Sequence, residues 1–255
     1  MDTSCPNPPP HVPSQIGVPS KGHYLSISEL DLNLAQVEIT KNFRTDRYFW
    51  LNEYRWRLLA KTGISFEGKS IFEPGAGIGD QTSWLLNNGA ARVVVSDGRQ
   101  ENLEIITKRF SGESRVATML GDIEQCLDSM DFKLNTDLVY LWGVYYHILD
   151  PVPEFPILHK LAKIAPMIVM DFQMSLTGVD YIRHYAYENV SASISHNSLA
   201  LTTKTMALGM CQSFGYAYFP IEQMNWDDPS TLSAPRRIII GSQIPLDYPG
   251  LIEAK

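Results

Sequence analysis

Two hydrophobic periodicities divide the chain. Residues 31–62 read as helical. Thr45 or Asp46 can cap a helix running to about Lys61, with Gly63 just past its end. Leu51, Tyr54 and Leu58 recur at i, i+3 and i+7, which gives one apolar face. Phe49, Trp50 and Trp56 spread apolar surface beyond that face, so this helix is expected to be sandwiched between two surfaces or to lid a cavity. From Lys69 the pattern changes to short apolar runs alternating with helical stretches. Strands are expected at 70–73, 92–96, 116–120, 137–141 and 167–172, and helices at 80–88, 101–110 and 153–165. Runs such as Val93-Val94-Val95 have no polar alternation, as strands buried on both faces require. The alternation pauses after Phe172. Residues 174–196 hold Tyr181, His184, Tyr185, Tyr187 and His196 with no clean period. A helix is expected from Asn197 to Phe214, ending at Gly215. Tyr216–Pro220 and Arg237–Gly241 read as strands joined by a turn with Asp227, Asp228 and Pro229, able to pair as an antiparallel hairpin at one sheet edge.

Strand–helix alternation predicts a doubly wound α/β fold with a mostly parallel sheet. The division that follows is a proline-rich tail over 1–22, a helical extension or lid over 23–64, and a main domain over 65–243. That domain carries an insertion at 174–196, and a C-terminal tail covers 244–255. Pro6, Pro8, Pro9, Pro10, Pro13 and Pro19 keep the first segment out of helices and central strands.

Composition narrows the function. The 255 residues are 44% apolar and 19% charged, as in a globular chain. Lys plus Arg is 21 and Asp plus Glu is 28, a net charge of −7. Such a chain repels a phosphate backbone, so no nucleic-acid partner is expected. No run reaches the ~20 apolar residues of a membrane span, and the first twenty residues lack a basic start followed by an apolar block. Cys5, Cys126 and Cys211 are too few and too scattered for a zinc pattern or a disulfide framework, so no metal is expected. A cytoplasmic location follows as an expectation.

The chemistry concentrates at expected strand ends. Glu73-Pro74-Gly75-Ala76-Gly77-Ile78-Gly79-Asp80 sits between a strand and a helix, where glycines allow a tight turn and close approach of a ligand. The dinucleotide fingerprint would place its third glycine at position 80, which is Asp here. Asp80 and Glu73 both disfavour a pyrophosphate, and Glu73 at the strand end suits a ligand carrying an ammonium group. The next strand ends at Asp97, whose carboxylate can accept from two vicinal ribose hydroxyls. A third ends at Asp122-Ile123, an acid for an exocyclic amine and an apolar side chain for a ring. Each feature also has a plainer reading: a tight turn for the glycines, a helix cap for Asp97 or Asp122.

These residues, with the stretch Asp137-Leu138-Val139-Tyr140-Leu141-Trp142-Gly143-Val144-Tyr145-Tyr146-His147, resemble the class I S-adenosylmethionine (SAM)-dependent methyltransferases. The resemblance is strongest over 65–175. It is to small-molecule enzymes with a Gly-Val-x-Tyr-His signature after the fourth strand; Tyr145 stands where leucine is usual and would reshape the pocket. A similar signature occurs in some tRNA-modifying enzymes. The resemblance implies a Rossmann-like seven-stranded sheet and methyl transfer from SAM to O or N of a small-molecule acceptor, with S-adenosylhomocysteine (SAH) as product. Glu73 and Gly75, Ala76, Gly77 and Gly79 would hold the methionine end. Asp97 would hold the ribose, with Gly98 and Arg99 beside it. Asp122 and Ile123 would hold the adenine, and Trp142 and Gly143 would line the floor beneath the sulfonium.

His147 is the expected general base for a hydroxyl acceptor, since an imidazole titrates near neutrality. Tyr146, Tyr181, His184 and Tyr185 are expected around the acceptor. Trp50, Tyr54 and Trp56 read as packing residues. The alternatives left open are a methyltransferase for tRNA or protein, a nicotinamide enzyme on a similar fold, and a SAM-binding protein without turnover.

Overall fold

The computed structural model describes residues 27–129, 135–148, 155–175, 181–184, 198–223 and 236–254. The proline-rich segment 1–22, Tyr185, Tyr187, His196 and the turn at 227–229 lie outside the described residues, as do the side chains of Trp50, Tyr181 and His184.

The helical extension consists of two helices. α1 (Leu34–Asn42) starts in a reciprocal cap in which Asn33 and Gln36 satisfy each other's backbone N–H groups. α2 (Asp46–Lys61) is capped by the Thr45 hydroxyl, as expected. Then follow β1 (Ser70–Pro74), α3 (Asp80–Asn87), β2 (Arg92–Asp97), α4 (Gln100–Arg109), β3 (Val116–Leu120), α5 (Ile123–Ser129), β4 (Leu138–Leu141), a 3₁₀ turn (Tyr145–His147), α6 (Pro156–Ile164) and β5 (Met167–Gln173). The late elements are β6 (Tyr181–His184), β7 (Ser198–Leu201), α7 (Thr203–Phe214), β8 (Tyr216–Pro220), β9 (Arg236–Ser242) and β10 (Leu251–Glu253).

One sheet has the order β10-β8-β9-β5-β4-β1-β2-β3. Neighbours from β3 to β5 pair in parallel, while β9 and β10 run antiparallel to their partners. The chain winds one way from β1 to β3 and the other way from β4. A crevice therefore opens above β1 and β4 at the carboxyl edge, where open α/β sheets bind ligands. Side chains alternate between two cores. Phe72, Val94, Val139 and Met170 pack with α6 and α7 on one face. Ile71, Val93, Val95, Tyr140 and Val169 pack with α2, α3 and α4 on the other. Both faces being apolar explains why these strands read as continuous hydrophobic runs.

Four expectations are corrected. The sheet has eight strands, not seven, because β10 pairs with β8; part of 244–255 is thus an edge strand. The β8–β9 pair forms antiparallel as expected but stands one strand in from the edge, because β10 adds outside β8. Residues 198–201 are strand, not helix. They pair with β6 as a separate two-stranded sheet, and the following helix starts at the Thr202 cap. Helix α5 was not anticipated; Asp122 and Gln125 cap its start.

Candidate active site

The glycine loop is fastened to the second strand rather than left as a free turn. The N–H groups of Gly75 and Ala76 both donate to the Ser96 carbonyl, at 2.7 and 3.0 Å. Gly75 adopts φ +70°, and a Cβ there would lie 2.4 Å from Val144 Cγ2, so only glycine fits. Asp97 completes the fastening. Its Oδ2 accepts from Gly77 N–H at 2.9 Å; its Oδ1 accepts from Arg99 N–H at 2.9 Å and Asn102 Nδ2 at 3.0 Å. Burial raises the Asp97 pKa, opposed by these three hydrogen bonds. A carboxylate has about four acceptor positions, so about one is left for a ligand.

Above the loop lies a cavity of ≈ 540 Å³. Gly75, Ala76, Gly77, Asp97 and Gly98 form one wall. Asp122 and Ile123 extend it past β3, and Trp142, Gly143, Tyr146 and His147 close it beyond β4. Phe43, Tyr48, Leu51, Asn52 and Arg55, from the end of α1 and from α2, roof it. Helix α2 therefore does both things its amphipathic pattern suggested. Leu58 and Leu59 pack into the core and the half-buried Trp56 stacks on Trp84 at 5.7 Å beside it, while another edge roofs the cavity.

A buried polar network holds that lid. Trp56 Nε1 and Tyr140 Oη donate to Gln81 Oε1 at 2.6 and 3.2 Å. Gln81 Nε2 and Arg55 Nη2 both donate to Asn52 Oδ1, at 2.9 and 2.7 Å. Arg55 then pairs with Asp171 on β5, which also accepts from Gly143 N–H and from Arg236 on β9. Arg236 reaches on to the Tyr146 hydroxyl and lies 4.5 Å from the centre of that ring. Arg55 sits 5.1 Å from the centre of the Trp142 ring, which in turn stacks on Tyr140 at 4.9 Å. Although burial acts to raise it, the two guanidiniums and the Gly143 N–H hold the Asp171 carboxyl below its usual range.

The structure brings most of the sequence-predicted site residues to one cavity: Gly75, Ala76, Gly77, Asp97, Gly98, Asp122, Ile123, Trp142, Gly143, Tyr146 and His147. Three others are not among its lining. Gly79 caps α3 at φ +83°, and its missing side chain makes room for Phe110, 2.6 Å from where a Cβ would stand. Arg99 caps α4. Glu73 is turned into the fold: Thr82 Oγ1 donates to its Oε2 at 2.8 Å, and burial pushes its pKa from 4.5 up to about 8.

The two acids used to argue against a pyrophosphate therefore do not carry that argument. Glu73 is largely neutral at pH 7, and Asp80 is paired with Arg109 at 2.6 Å. Tyr145 does not shape the pocket either. It is 1% exposed in the opposite core. Asp122 does cap a helix, accepting Gln125 N–H at 2.8 Å, and still lines the cavity. Tyr181 and His184 stand on β6, which pairs with β7; their side chains lie outside the described residues.

Arg55, Asp171 and Arg236 were missed. A lone Asp inside the apolar run Met167–Phe172 was the signal for the second; an acid in a buried strand needs cationic partners. Arg55 and Arg236 sit 116 and 65 residues from Asp171, and no local pattern pairs them. Among the described residues, no cluster suited to a metal ion is present and no helix is long and apolar enough to cross a membrane.

No protein-family model matches this chain, and no curated protein matches it in sequence. Solved structures do match. The N-terminal domain of EvdMO1 with SAH bound superposes with a TM-score of 0.56 at 19% identity, over 73% of this chain and 79% of that one. The DhpI–SAH complex gives 0.52 at 12%, over 80% and 91%. An S-adenosylmethionine-dependent methyltransferase from Mesorhizobium loti gives 0.50 at 13%, over 72% and 94%. The fold is thus the Rossmann-like α/β fold of SAM-dependent methyltransferases, with a mostly parallel sheet and antiparallel C-terminal strands.

Proposed function

We propose that this chain is a SAM-dependent methyltransferase that acts on a small-molecule acceptor at oxygen or nitrogen. The observation that carries the reading is the cavity at the switch of winding. Along its wall stand, in strand order, a bare glycine backbone, a strand-end acid with one acceptor position left, and an acid–isoleucine pair. Trp142 Nε1, buried at the far end without a hydrogen-bond partner among the described residues, adds an unused donor. These groups suit the methionine end, the ribose and the adenine of SAM, and neighbours of this fold hold SAH.

When bound, SAM supplies an electrophilic methyl group carried on a sulfonium, and SAH is left after transfer. The protein's own contribution is placement. Gly75, Ala76 and Gly77 offer backbone to the methionine portion, Asp97 accepts from the ribose, and Asp122 with Ile123 takes the adenine. Trp142 and Gly143 line the floor towards the acceptor. Holding two reactants in line is worth up to ~7–11 kcal/mol of barrier. The α2 roof keeps water from the acceptor, which favours transfer to it over hydrolysis. His147 stands on the same wall and serves as base for a hydroxyl acceptor; an amine acceptor needs none. The cavity, partly roofed by α2 and lined by both polar and apolar groups, has a volume in the range of small-molecule pockets, which supports a small acceptor over a polymer.

The test is binding. SAH should raise the melting temperature with a saturable concentration dependence, since a ligand of the native state stabilises it by mass action. NAD should not. A shift with NAD and none with millimolar SAH refutes the reading.

A further inference from the structure

The cavity is electrically two-ended. Its acids, Asp97, Asp122 and Glu124, come from the ends of β2 and β3 and the start of α5. Its cations, Arg55 and Arg236, come from α2 and β9 and converge on β5. In the order β9-β5-β4-β1-β2-β3, Asp171 on β5 is three strands from Asp97 on β2. At ~4.8 Å per strand that is roughly 14 Å, beyond the ~8 Å over which salt leaves charges coupled. The distant acids therefore do not balance the arginine end.

Locally, among the described residues, two guanidiniums share one carboxylate. Asp171 is 0% exposed at its side chain, against 7% for Arg55 and 24% for Arg236. Beyond Asp171, Arg236 donates to the Tyr146 hydroxyl, which is not a carboxylate. Among the described residues the site thus holds two guanidiniums against one carboxylate, on a cavity wall. Burying a net charge is costly unless an opposite charge arrives. Each guanidinium lies over an aromatic ring, Arg55 5.1 Å from the centre of Trp142 and Arg236 4.5 Å from the centre of Tyr146, which restricts where its fork of donors can reach and leaves that fork for an oxyanion.

We infer that the methyl acceptor carries an oxyanion, a carboxylate or a phosphate-type group, which docks on Arg236 and Arg55 beyond the end of β4. This rests on the methyltransferase reading. That reading assigns the β1–β3 side of the cavity to the cofactor and leaves the β4–β5–β9 side for the acceptor. Arg236 is the specificity residue: more accessible than Arg55, it faces the space past Gly143, and a Cβ at Gly143 would stand 3.6 Å from its Nη1.

The experiment uses the full chain saturated with SAH. Sodium phosphate and sodium benzoate are each titrated against sodium chloride at matched ionic strength, and the melting temperature is read. A saturable rise with phosphate or benzoate beyond the chloride control is expected, and the more effective of the two identifies a phosphate-type or a carboxylate acceptor. The apparent anion affinity should fall at least tenfold in Arg236→Gln and recover partly in Arg236→Lys. SAH affinity, which also reports that each variant is folded, should stay within about threefold. SAH binding with no anion effect beyond chloride overturns the inference alone. So does a parallel tenfold loss of SAH affinity in Arg236→Gln, since the arginine would then serve the cofactor's own carboxylate. Failure of wild type to bind SAH overturns the methyltransferase reading, and the inference with it.

Discussion

Glu73 offers the sharpest test of how the site was read. The family resemblance assigns it to the cofactor's methionine end; the structure buries it beneath α3 with a single donor, Thr82, on one oxygen. Its other oxygen has no hydrogen-bond partner among the described residues. Burial is the largest influence on its titration, followed by the opposing Thr82 bond and then by Asp80, which raises the pKa further. Unfolded, the group titrates near 4.5; folded, at about 8. Between those values the folded state holds a proton that the unfolded state has lost, so stability falls as pH rises across that window. At ~1.36 kcal/mol per pKa unit, the full loss is on the order of 5 kcal/mol, an upper bound once buried groups relax and admit water.

Glu73→Gln removes the titration while keeping the shape and an oxygen for Thr82. Any fixed cost of the amide is independent of pH, so the test is the pH dependence of the difference between the two proteins. Urea unfolding at pH 5, 7 and 9 should show Glu73→Gln gaining on wild type as pH rises, with most of the gain reached by pH 9. Parallel stability curves would mean that Glu73 is ionised in the fold and would refute the burial argument. SAH affinity at pH 7 should stay within about twofold. A tenfold loss, with SAH binding to wild type displacing a proton, would instead return Glu73 to the methionine end.

Two further substitutions probe the loop. Asp97→Ala should weaken SAH binding roughly 10- to 150-fold, as expected for ~1.5–3 kcal/mol of hydrogen bonding to a charged group. It should also lower stability by a few kcal/mol, because the N–H groups of Gly77 and Arg99 and the Asn102 amide lose their acceptor. Unchanged SAH affinity in the folded variant would confine Asp97 to fastening the loop. Gly75→Ala places a Cβ 2.4 Å from Val144 Cγ2 at φ +70° and should destabilise by on the order of 2 kcal/mol. Adding Val144→Ala should recover part of that loss, and strictly additive effects in denaturant titrations would show that the two side chains do not collide.

The doubly wound core was legible because its signal is local. Val93-Val94-Val95, the glycine loop and the Thr45 cap each declare themselves within a few residues. The departures came where pairing partners decide. Ser198-Leu199-Ala200-Leu201 suits a helix by composition, yet pairing with β6 makes it a strand, and the Thr202 hydroxyl then caps the helix five residues later than expected. Leu251–Glu253 is too short to show alternation and becomes a strand because β8 presents an open edge. At the site, residue types at strand ends singled out Asp97 and Asp122, and both line the cavity. They could not tell that Asp97 and Asp122 face the cavity while Glu73 and Asp80 are taken up by Thr82 and Arg109. Glu73 and Asp80 look like ligand groups in the sequence; Thr82 and Arg109, which occupy them, come from helices packed behind the loop.

The lid illustrates why the arginine pair escaped notice and why it matters. α2 could have been held by apolar contact alone, as Leu58 and Leu59 hold its core face. Its cavity edge is tied instead by directional bonds running from Gln81 through Asn52 to Arg55 and Asp171. A buried ion pair is weak evidence for stability, because desolvation consumes most of its attraction. What it supplies is position. The Arg55 bonds to Leu51, Asn52 and Asp171 set the helix against β5, and the Gly143 N–H bond to the same carboxylate sets the end of β4. Roof, floor and the cationic end of the cavity are thus referred to the single carboxylate of Asp171. Such a group orders a site in which two reactants must meet in line within ~3–3.5 Å.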